Sequence, residues 1–163
     1  MSVNREKPHV HVLPEDYANS QLATGFLKDQ SLRLNRIRVL PEAGGWTKVL
    51  ECFQLNHIAA LDRFPERFMV LLIDFDGRQE RLTQARAVIP EHLTERVFIL
   101  GVLSKPEALK QANLGSYEDI GLAMAKDCRE KTDETWGHHL LRHNAGELDR
   151  LRERVRTILF ETN

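Results

Sequence analysis

The stretch RFMVLLIDFDG, residues 67 to 77, is a near-continuous apolar run that ends in two aspartates, one residue apart, and a glycine. Runs of this kind are typical of strands buried on both faces of a parallel sheet. The run is far shorter than the roughly 20 apolar residues that span a bilayer as a helix. We therefore expect a central strand that carries Asp74 and Asp76 at its carboxyl end.

Three other stretches resemble strands, and segments with helical character separate them. The predicted strands are HVHVL (9–13), RIRVL (36–40), RFMVLLI (67–73) and RVFILGVL (96–103). The predicted helices are about 15–29, 45–61, 79–88 and 104–112. Because parallel strands need crossover connections, this alternation predicts an α/β fold with a central four-stranded parallel sheet flanked by helices.

The chain from about residue 117 onward is helical and more polar. In NAGELDRLRERVRTILF, residues 144 to 160, Asn144 and Glu147 have the spacing of a capping box, and an apolar stripe follows them. The stripe predicts that this helix packs on an edge of the sheet. With 163 residues, the chain fits one domain, with an α/β core over about 8–130 and a helical extension over about 131–163.

Composition restricts the function only loosely. The formal net charge of -1 neither indicates nor excludes binding to nucleic acid. Cys52 and Cys128 show no paired spacing, and the first residues lack the apolar core of a signal peptide, so we expect a cytoplasmic protein without membrane segments. A GxxxxGK[ST] phosphate loop does not occur, so the chain is not itself a P-loop ATPase.

Polar residues follow every predicted strand at the point where it ends. They are Glu15, Asp16 and Asn19; Glu42, beside the flexible Gly44–Gly45; Asp74 and Asp76; and Ser104 and Glu107. In open α/β sheets, sites form at the carboxyl ends of the strands. Each acid taken alone could simply cap a helix or begin a turn. Together they would repel one another unless a cation neutralised them, which favours a Mg²⁺ or Mn²⁺ site.

Two known families share part of this pattern. LIDFDG resembles the DxDG motif of haloacid-dehalogenase-like phosphatases, which would make Asp74 a nucleophile. That motif lies on the first strand of the family and continues with threonine or valine, whereas here it follows the third strand and continues with Arg78.

The wider pattern resembles the Toprim domain of type II topoisomerases, primases and overcoming-lysogenization-defect nucleases. The matching features are Glu15 after the first strand, Gly44–Gly45 after the second and Asp74 with Asp76 after the third. Toward the nuclease branch, Glu107 and Lys126 match a later acid and a later lysine. Asn19 stands where those nucleases often have a second acid.

The resemblance implies metal-dependent hydrolysis of a nucleic-acid phosphodiester, with DNA favoured over RNA. Glu15, Asp74 and Asp76 would hold one Mg²⁺ or Mn²⁺, and Glu107, with or without Asn19, a second. Lys126 would stabilise charge on the phosphate, and Glu15 could instead act as a general acid or base. The nucleases of this family work with an ATPase, which implies a separate ATPase subunit in a bacterial defence or DNA-maintenance system. A regulatory subunit without catalysis is the alternative, and an oligomer is compatible with either.

Basic residues near the carboxyl terminus offer a nucleic-acid contact. They are Arg129, Lys131, His139, Arg142 and His143. Phosphate contacts need only positioned cations, so these side chains could line a backbone-binding wall. The spacing of His139 and His143 formally allows zinc, and Trp46 could stack on a base, although packing is the commoner role for such residues.

Overall fold

The computed structural model describes residues 3–161, which form a parallel sheet with helices on both faces. The strands are β1 (His9–Pro14), β2 (Ile37–Val39), β3 (Arg67–Leu72) and β4 (Val97–Leu100). Their order in the sheet is β2-β1-β3-β4, and each neighbouring pair is parallel. The predicted α/β fold with a central four-stranded parallel sheet is confirmed.

Seven α-helices are described along residues 3–161. They are α1 (Tyr17–Phe26), α2 (Trp46–Cys52), α3 (Ile58–Arg63), α4 (Glu80–Ala87), α5 (Pro106–Gln111), α6 (Tyr117–Glu130) and α7 (Ala145–Leu159). The helix predicted over 45–61 is present as one continuous helical segment from Trp46 to Arg63, in which a π-helical turn at Phe53–His57 lies between α2 and α3. No helix within residues 3–161 combines the length and apolar character needed to cross a membrane.

Alternation along the strands divides the core into two layers. Val10 and Val12 of β1 point to the layer that contains α1, α6 and α7, whereas Leu13 points to the layer that contains α2, α3 and α4. Both layers are formed by side chains that are almost completely buried. The loops at the carboxyl ends of β1 and β3 therefore rest on a sheet that is packed from both sides.

The start of helix α7 lies at the outer edge of β4, but its apolar stripe packs into the layer of α1 and α6 on one face of the sheet rather than on the edge as predicted. The predicted capping box at its start is wrong, because Asn144 makes no side-chain cap. Its amide instead pairs with Gly101, accepting from N–H at 3.1 Å and donating to C=O at 2.9 Å. Glu147, 3% exposed, accepts the N–H of Ile99 at 3.2 Å. Both side chains therefore satisfy backbone groups of an edge strand rather than those of their own helix.

Candidate metal centre

The loop after β1 supplies two carboxylates. Asp16 is the N-cap of α1, and its side chain accepts the backbone N–H of Asn19 at 2.9 Å. The carbonyl of Glu15 accepts the N–H groups of Gly44 and Gly45 at 2.8 and 3.2 Å. These glycines have φ of 97° and 148°, a region that side chains disfavour, so the glycine turn after β2 fixes the backbone at Glu15.

The loop after β3 turns its two aspartates in different directions. Asp74 is 7% exposed, and its backbone N–H donates to Glu15 Oε2 at 2.6 Å. Asp76 has φ of 51°, Gly77 has φ of 71°, and the Asp76 carboxylate is half exposed. The left-handed turn therefore sends the Asp76 carboxylate toward solvent, while that of Asp74 remains inside.

The acidic cluster consists of Glu15, Asp16 and Asp74. One carboxylate oxygen from each lies within 4.8 Å of the others. Asn19, fully buried, joins the cluster by donating from Nδ2 to Asp16 Oδ1 at 3.0 Å and to Asp74 Oδ1 at 2.9 Å. Its Oδ1 has no hydrogen-bond partner within residues 3–161. A single nitrogen, Asn19 Nδ2, therefore bridges the carboxylates of Asp16 and Asp74.

Burial and mutual repulsion disfavour ionisation of the acidic cluster. Burial is the main factor that raises the pKa of Asp74 to about 7, and the negative charges of Glu15 and Asp16 add to it. Burial also raises the pKa of Glu15, although the Asp74 backbone N–H and Arg81 oppose the change. Bringing a cation here would favour the ionised forms, because opposite charge lowers a carboxyl pKa.

Arg81 of α4 braces the turn without neutralising the cluster. Its guanidinium donates to the Asp74 carbonyl at 2.7 Å, lies 3.7 Å from the Asp76 carboxylate and stacks 4.6 Å from the Trp46 ring centre. One face of the Trp46 ring is thus covered by the Arg81 guanidinium, and the ring packs against the apolar layer of α2 and α3. The three contacts fix the position of the loop that carries Asp74.

The donor set fits a hard divalent cation. Carboxylate oxygens are the ligands that Mg²⁺ and Mn²⁺ prefer, and Glu15, Asp16 and Asp74 supply three. Asn19 presents its amide N–H groups, so ligation through its Oδ1 would require the amide to rotate. Of the sequence-predicted ligands, the structure therefore brings together Glu15 and Asp74, with Asn19 as a hydrogen-bond donor beside them, and it adds Asp16.

The remaining predicted site residues lie at the rim or elsewhere. Glu107 is exposed on α5, and its charge acts with those of Asp16 and Asp74 to raise the pKa of Tyr117, which is raised chiefly by burial. Lys126 lies nine residues beyond Tyr117 on α6, or about 13 Å along the helix axis. The structure does not bring it to the acidic cluster, because that helix carries it away from the carboxyl ends of the strands.

The basic residues predicted to contact nucleic acid lie in two separate parts of the structure, the end of α6 and the segment before α7. Arg129 is used internally, with ion pairs to Asp29 at 3.3 Å and to Glu130 at 3.4 Å. Lys131 is the exposed C-cap of α6. The other members are His139, Arg142 and His143, on the segment whose Leu140 carbonyl accepts the Leu103 N–H. Within residues 3–161, no three-ligand cluster includes these histidines, which leaves the zinc alternative without structural support.

Sequence reasoning placed Asp16 at the edge of the sheet without assigning it as a ligand, and it missed Arg81 and Tyr117. Asp16 was recognisable only as an acid at a helix start, which usually indicates a cap. Nothing in the sequence distinguishes Arg81 from Arg86, the other arginine of α4. Tyr117 follows the true capping box, Ser116 with Asp119, and lies buried at the start of α6.

Comparison with known proteins finds no relative of this chain. No family model matches it, and neither a curated protein nor a solved structure does so.

Proposed function

We propose that the chain is a divalent-metal-dependent phosphodiesterase that hydrolyses nucleic acid, with Glu15, Asp16 and Asp74 as the ligands of Mg²⁺ or Mn²⁺. One observation carries the proposal: three carboxylates from two neighbouring strands lie within 4.8 Å of one another around a buried aspartate. The nucleic-acid substrate is supported by the Toprim-like order of the motifs.

The charges around the acidic cluster support a cation rather than three separate caps. Asp16 caps α1, and the Glu15 carboxylate interacts with the Trp46 N–H at the start of α2, but Asp74 caps no described helix. Arg81 contacts the Asp74 carbonyl and Asp76 instead of the clustered carboxylates. A buried carboxylate whose pKa is about 7 costs stability when it ionises without a partner. A divalent cation would offset that cost, and when bound it would activate water and stabilise charge on the phosphate.

Protein groups would position the ligands before the cation arrives. The Asp74 N–H holds the Glu15 carboxylate at 2.6 Å, and the Asn19 amide holds Asp16 and Asp74. Preformed ligand geometry lowers the reorganisation needed on binding. Asp76 and Glu107 remain at the rim, available to a second cation or to substrate orientation.

A cleavage assay tests the proposal directly. Purified protein is incubated with plasmid, linear DNA and RNA, with Mg²⁺, with Mn²⁺ and with chelator. We expect cleavage with metal and a loss of roughly 100-fold or more in Glu15→Gln and Asp74→Asn, because each removes a ligand charge. Asp76→Asn should lose less, because that side chain lies outside the cluster.

The matched control is Asp149→Asn, an exposed acid on α7 that makes no ion pair within residues 3–161. It should cleave like the wild type. A wild-type protein that cleaves none of the substrates and whose Tm is unmoved by either metal would contradict the proposal.

A separate ATPase subunit in a bacterial defence or DNA-maintenance system is proposed on the resemblance alone. Affinity purification of the chain from its native host, followed by mass spectrometry, tests this extension. A nucleotide-binding protein should be recovered with the wild type and with Asp74→Asn, because the substitution removes a ligand without altering the surface.

A regulatory subunit without catalysis is the second candidate. Two observations favour it: Asn19 places amide donors where a further acid would strengthen the site, and Lys126 lies away from the acidic cluster. This candidate predicts a metal-dependent rise in Tm without cleavage, and an Asp74→Asn variant that keeps its biological activity.

A further inference from the structure

Basic residues meet at the opposite end of the sheet from the acidic cluster. The basic cluster consists of His9 and His11 of β1, Arg38 of β2 and Arg67 of β3. His9 is in register with Arg67, and His11 with Arg38. Because alternate residues share a sheet face, all four lie on the face covered by α2 and α3.

Arg67 is a buried cation without a counter-ion. It is 5% exposed, its Nε–H donates to His9 Nε2 at 3.0 Å, and its guanidinium lies 4.6 Å from the centre of the Phe64 ring. Within residues 3–161, no carboxylate forms an ion pair with it, and its two terminal nitrogens donate to no protein acceptor. An isolated buried charge is costly unless a partner compensates it.

The two histidines of β1 have different roles. His9 accepts from Arg67 at Nε2, so its Nδ1 carries the proton that is donated to the Lys7 carbonyl at 2.7 Å. His11 is 7% exposed, and its Nδ1 has no partner within the described chain. Burial, followed by the charge of Arg67, lowers the pKa of His11 to about 3, so this ring is neutral near pH 7.

The charges that perturb the titratable groups of the basic cluster are positive. Burial, followed by the charges of Arg5 and Arg38, lowers the pKa of Arg67. Burial, followed by the charge of Arg67, lowers the pKa of His57. No carboxylate appears among the groups that perturb the pKa values of His9, His11, His57 or Arg67 within residues 3–161. His57 ends the π-helical turn, a distortion found frequently at functional sites.

Cation–π stacking on Phe64 and the bond to His9 account for the position of Arg67, and its terminal nitrogens, which reach solvent, have no protein acceptor or carboxylate partner within residues 3–161. We propose that the basic cluster binds a phosphate group, with Arg67 and His11 donating to its oxygens and Arg38 completing the charge at the exposed rim. A guanidinium presents parallel N–H donors that match phosphate oxygens. The site is separate from the acidic cluster and does not depend on a metal there.

Inorganic phosphate is the first probe, with sodium chloride at equal ionic strength as the reference. We expect phosphate to raise the Tm of the wild type beyond the chloride value and to give a saturable isotherm by calorimetry. Arg67→Met should abolish both effects. Arg67→Lys keeps the charge but loses the fork of donors, and its affinity should fall about tenfold or more.

Arg38→Gln covers the case in which substitution of the buried Arg67 prevents folding. Arg38 is exposed, so the variant should fold and lose about fivefold in affinity. The matched control is Arg154→Gln, which removes an exposed arginine that pairs with Glu95 on the surface. It should bind phosphate as tightly as the wild type.

Oligonucleotides distinguish the two sources of the phosphate group. If the site reads a nucleic-acid end, an oligonucleotide with a 5′-phosphate should compete with inorganic phosphate, whereas the same oligonucleotide with a 5′-hydroxyl should not. Competition by neither oligonucleotide assigns the site to a small phosphate compound. The absence of a phosphate-specific Tm rise, or an equal loss in Arg154→Gln and Arg38→Gln, would overturn the proposal.

Discussion

Asn19 and Asp74 are joined by a buried hydrogen bond of 2.9 Å between Nδ2 and Oδ1, across 55 residues of chain. The bond links the start of α1 to the loop after β3. Since the same nitrogen also donates to Asp16, one neutral side chain sets the spacing of two ligands. The separation of the carboxylates is therefore sensitive to what occupies position 19.

Asn19→Asp should destabilise the metal-free protein and increase its response to metal. The substitution replaces two donated hydrogen bonds with a fourth carboxylate in a fully buried position. We expect a lower Tm in chelator and a larger Tm rise with Mn²⁺ than in the wild type. Asn19→Ser, which adds no charge, is the control. Equal metal responses in both variants would show that position 19 does not act through charge.

Asp74→Asn should stabilise the metal-free protein above about pH 7. The folded state holds the Asp74 proton to about pH 7, whereas the unfolded chain releases it near the usual 3.8, so wild-type stability falls as pH rises between these values. Asparagine does not titrate, and the variant should gain on the order of 2 to 4 kcal/mol relative to the wild type by pH 8. Denaturant unfolding in chelator measures this difference, and Asp149→Asn should show none.

Metal affinity should rise with pH through the range in which Asp74 ionises. A cation competes with the proton for this carboxylate, so binding below about pH 7 should release a proton. Titration of Mn²⁺ by calorimetry in buffers of different ionisation enthalpy counts the released protons. We expect release at about pH 6 and little at about pH 8.5. Pronounced release at both values would assign the proton to another group.

Arg81→Gln should shift the pH profile of cleavage to higher pH. The Arg81 charge lowers the pKa of Glu15, which burial raises, so its removal should raise that pKa further. The loop also loses the bond to the Asp74 carbonyl, a charge-assisted contact worth about 1.5 to 3 kcal/mol. Arg78→Gln, an exposed neighbour on the same loop, is the control. A uniform fall in the cleavage rate without a shift in the pH profile would indicate that Arg81 only positions the loop that carries Asp74.

Asn144→Ala should cost about 2 kcal/mol or more, because it leaves the buried N–H and C=O of Gly101 without partners. For a chain of this size, that corresponds to a fall in Tm of several degrees. Ala145→Ser, at an exposed position next to it, should change the Tm little. An unchanged Tm for Asn144→Ala would show that water replaces the side chain at the edge of β4.

The strands were predictable because their signal is local. A near-continuous apolar run such as 67–73 has few alternatives to a central strand, and the observed β3 agrees with it to within one residue. The helix predicted over 45–61 is present, but apolar periodicity does not reveal the π-helical turn in its middle. The Asn144 side chain also bonds to the backbone of Gly101 at the sheet edge instead of capping its own helix.

The candidate site was predictable only in part. Glu15 and Asp74 could be paired because parallel strands end at the same edge of a sheet. The outward turn of Asp76 depends on the positive φ angles of Asp76 and Gly77, and the distance of Lys126 from the acids depends on where α6 begins. Neither feature can be read from a short motif, so motif spacing grouped Asp76 and Lys126 more closely with Glu15 and Asp74 than the structure does.

The side chains that occupy the outer edge of β4 also determine how the sheet can grow. Exposed strand edges recruit further strands, whether from another copy or into aggregates. Here Asn144 and Glu147 occupy the hydrogen-bonding positions at Gly101 and Ile99, so strand addition at β4 is blocked. The opposite edge belongs to β2, which has three residues and offers a short template. Any assembly of this protein should therefore use its helices and loops rather than extend its sheet.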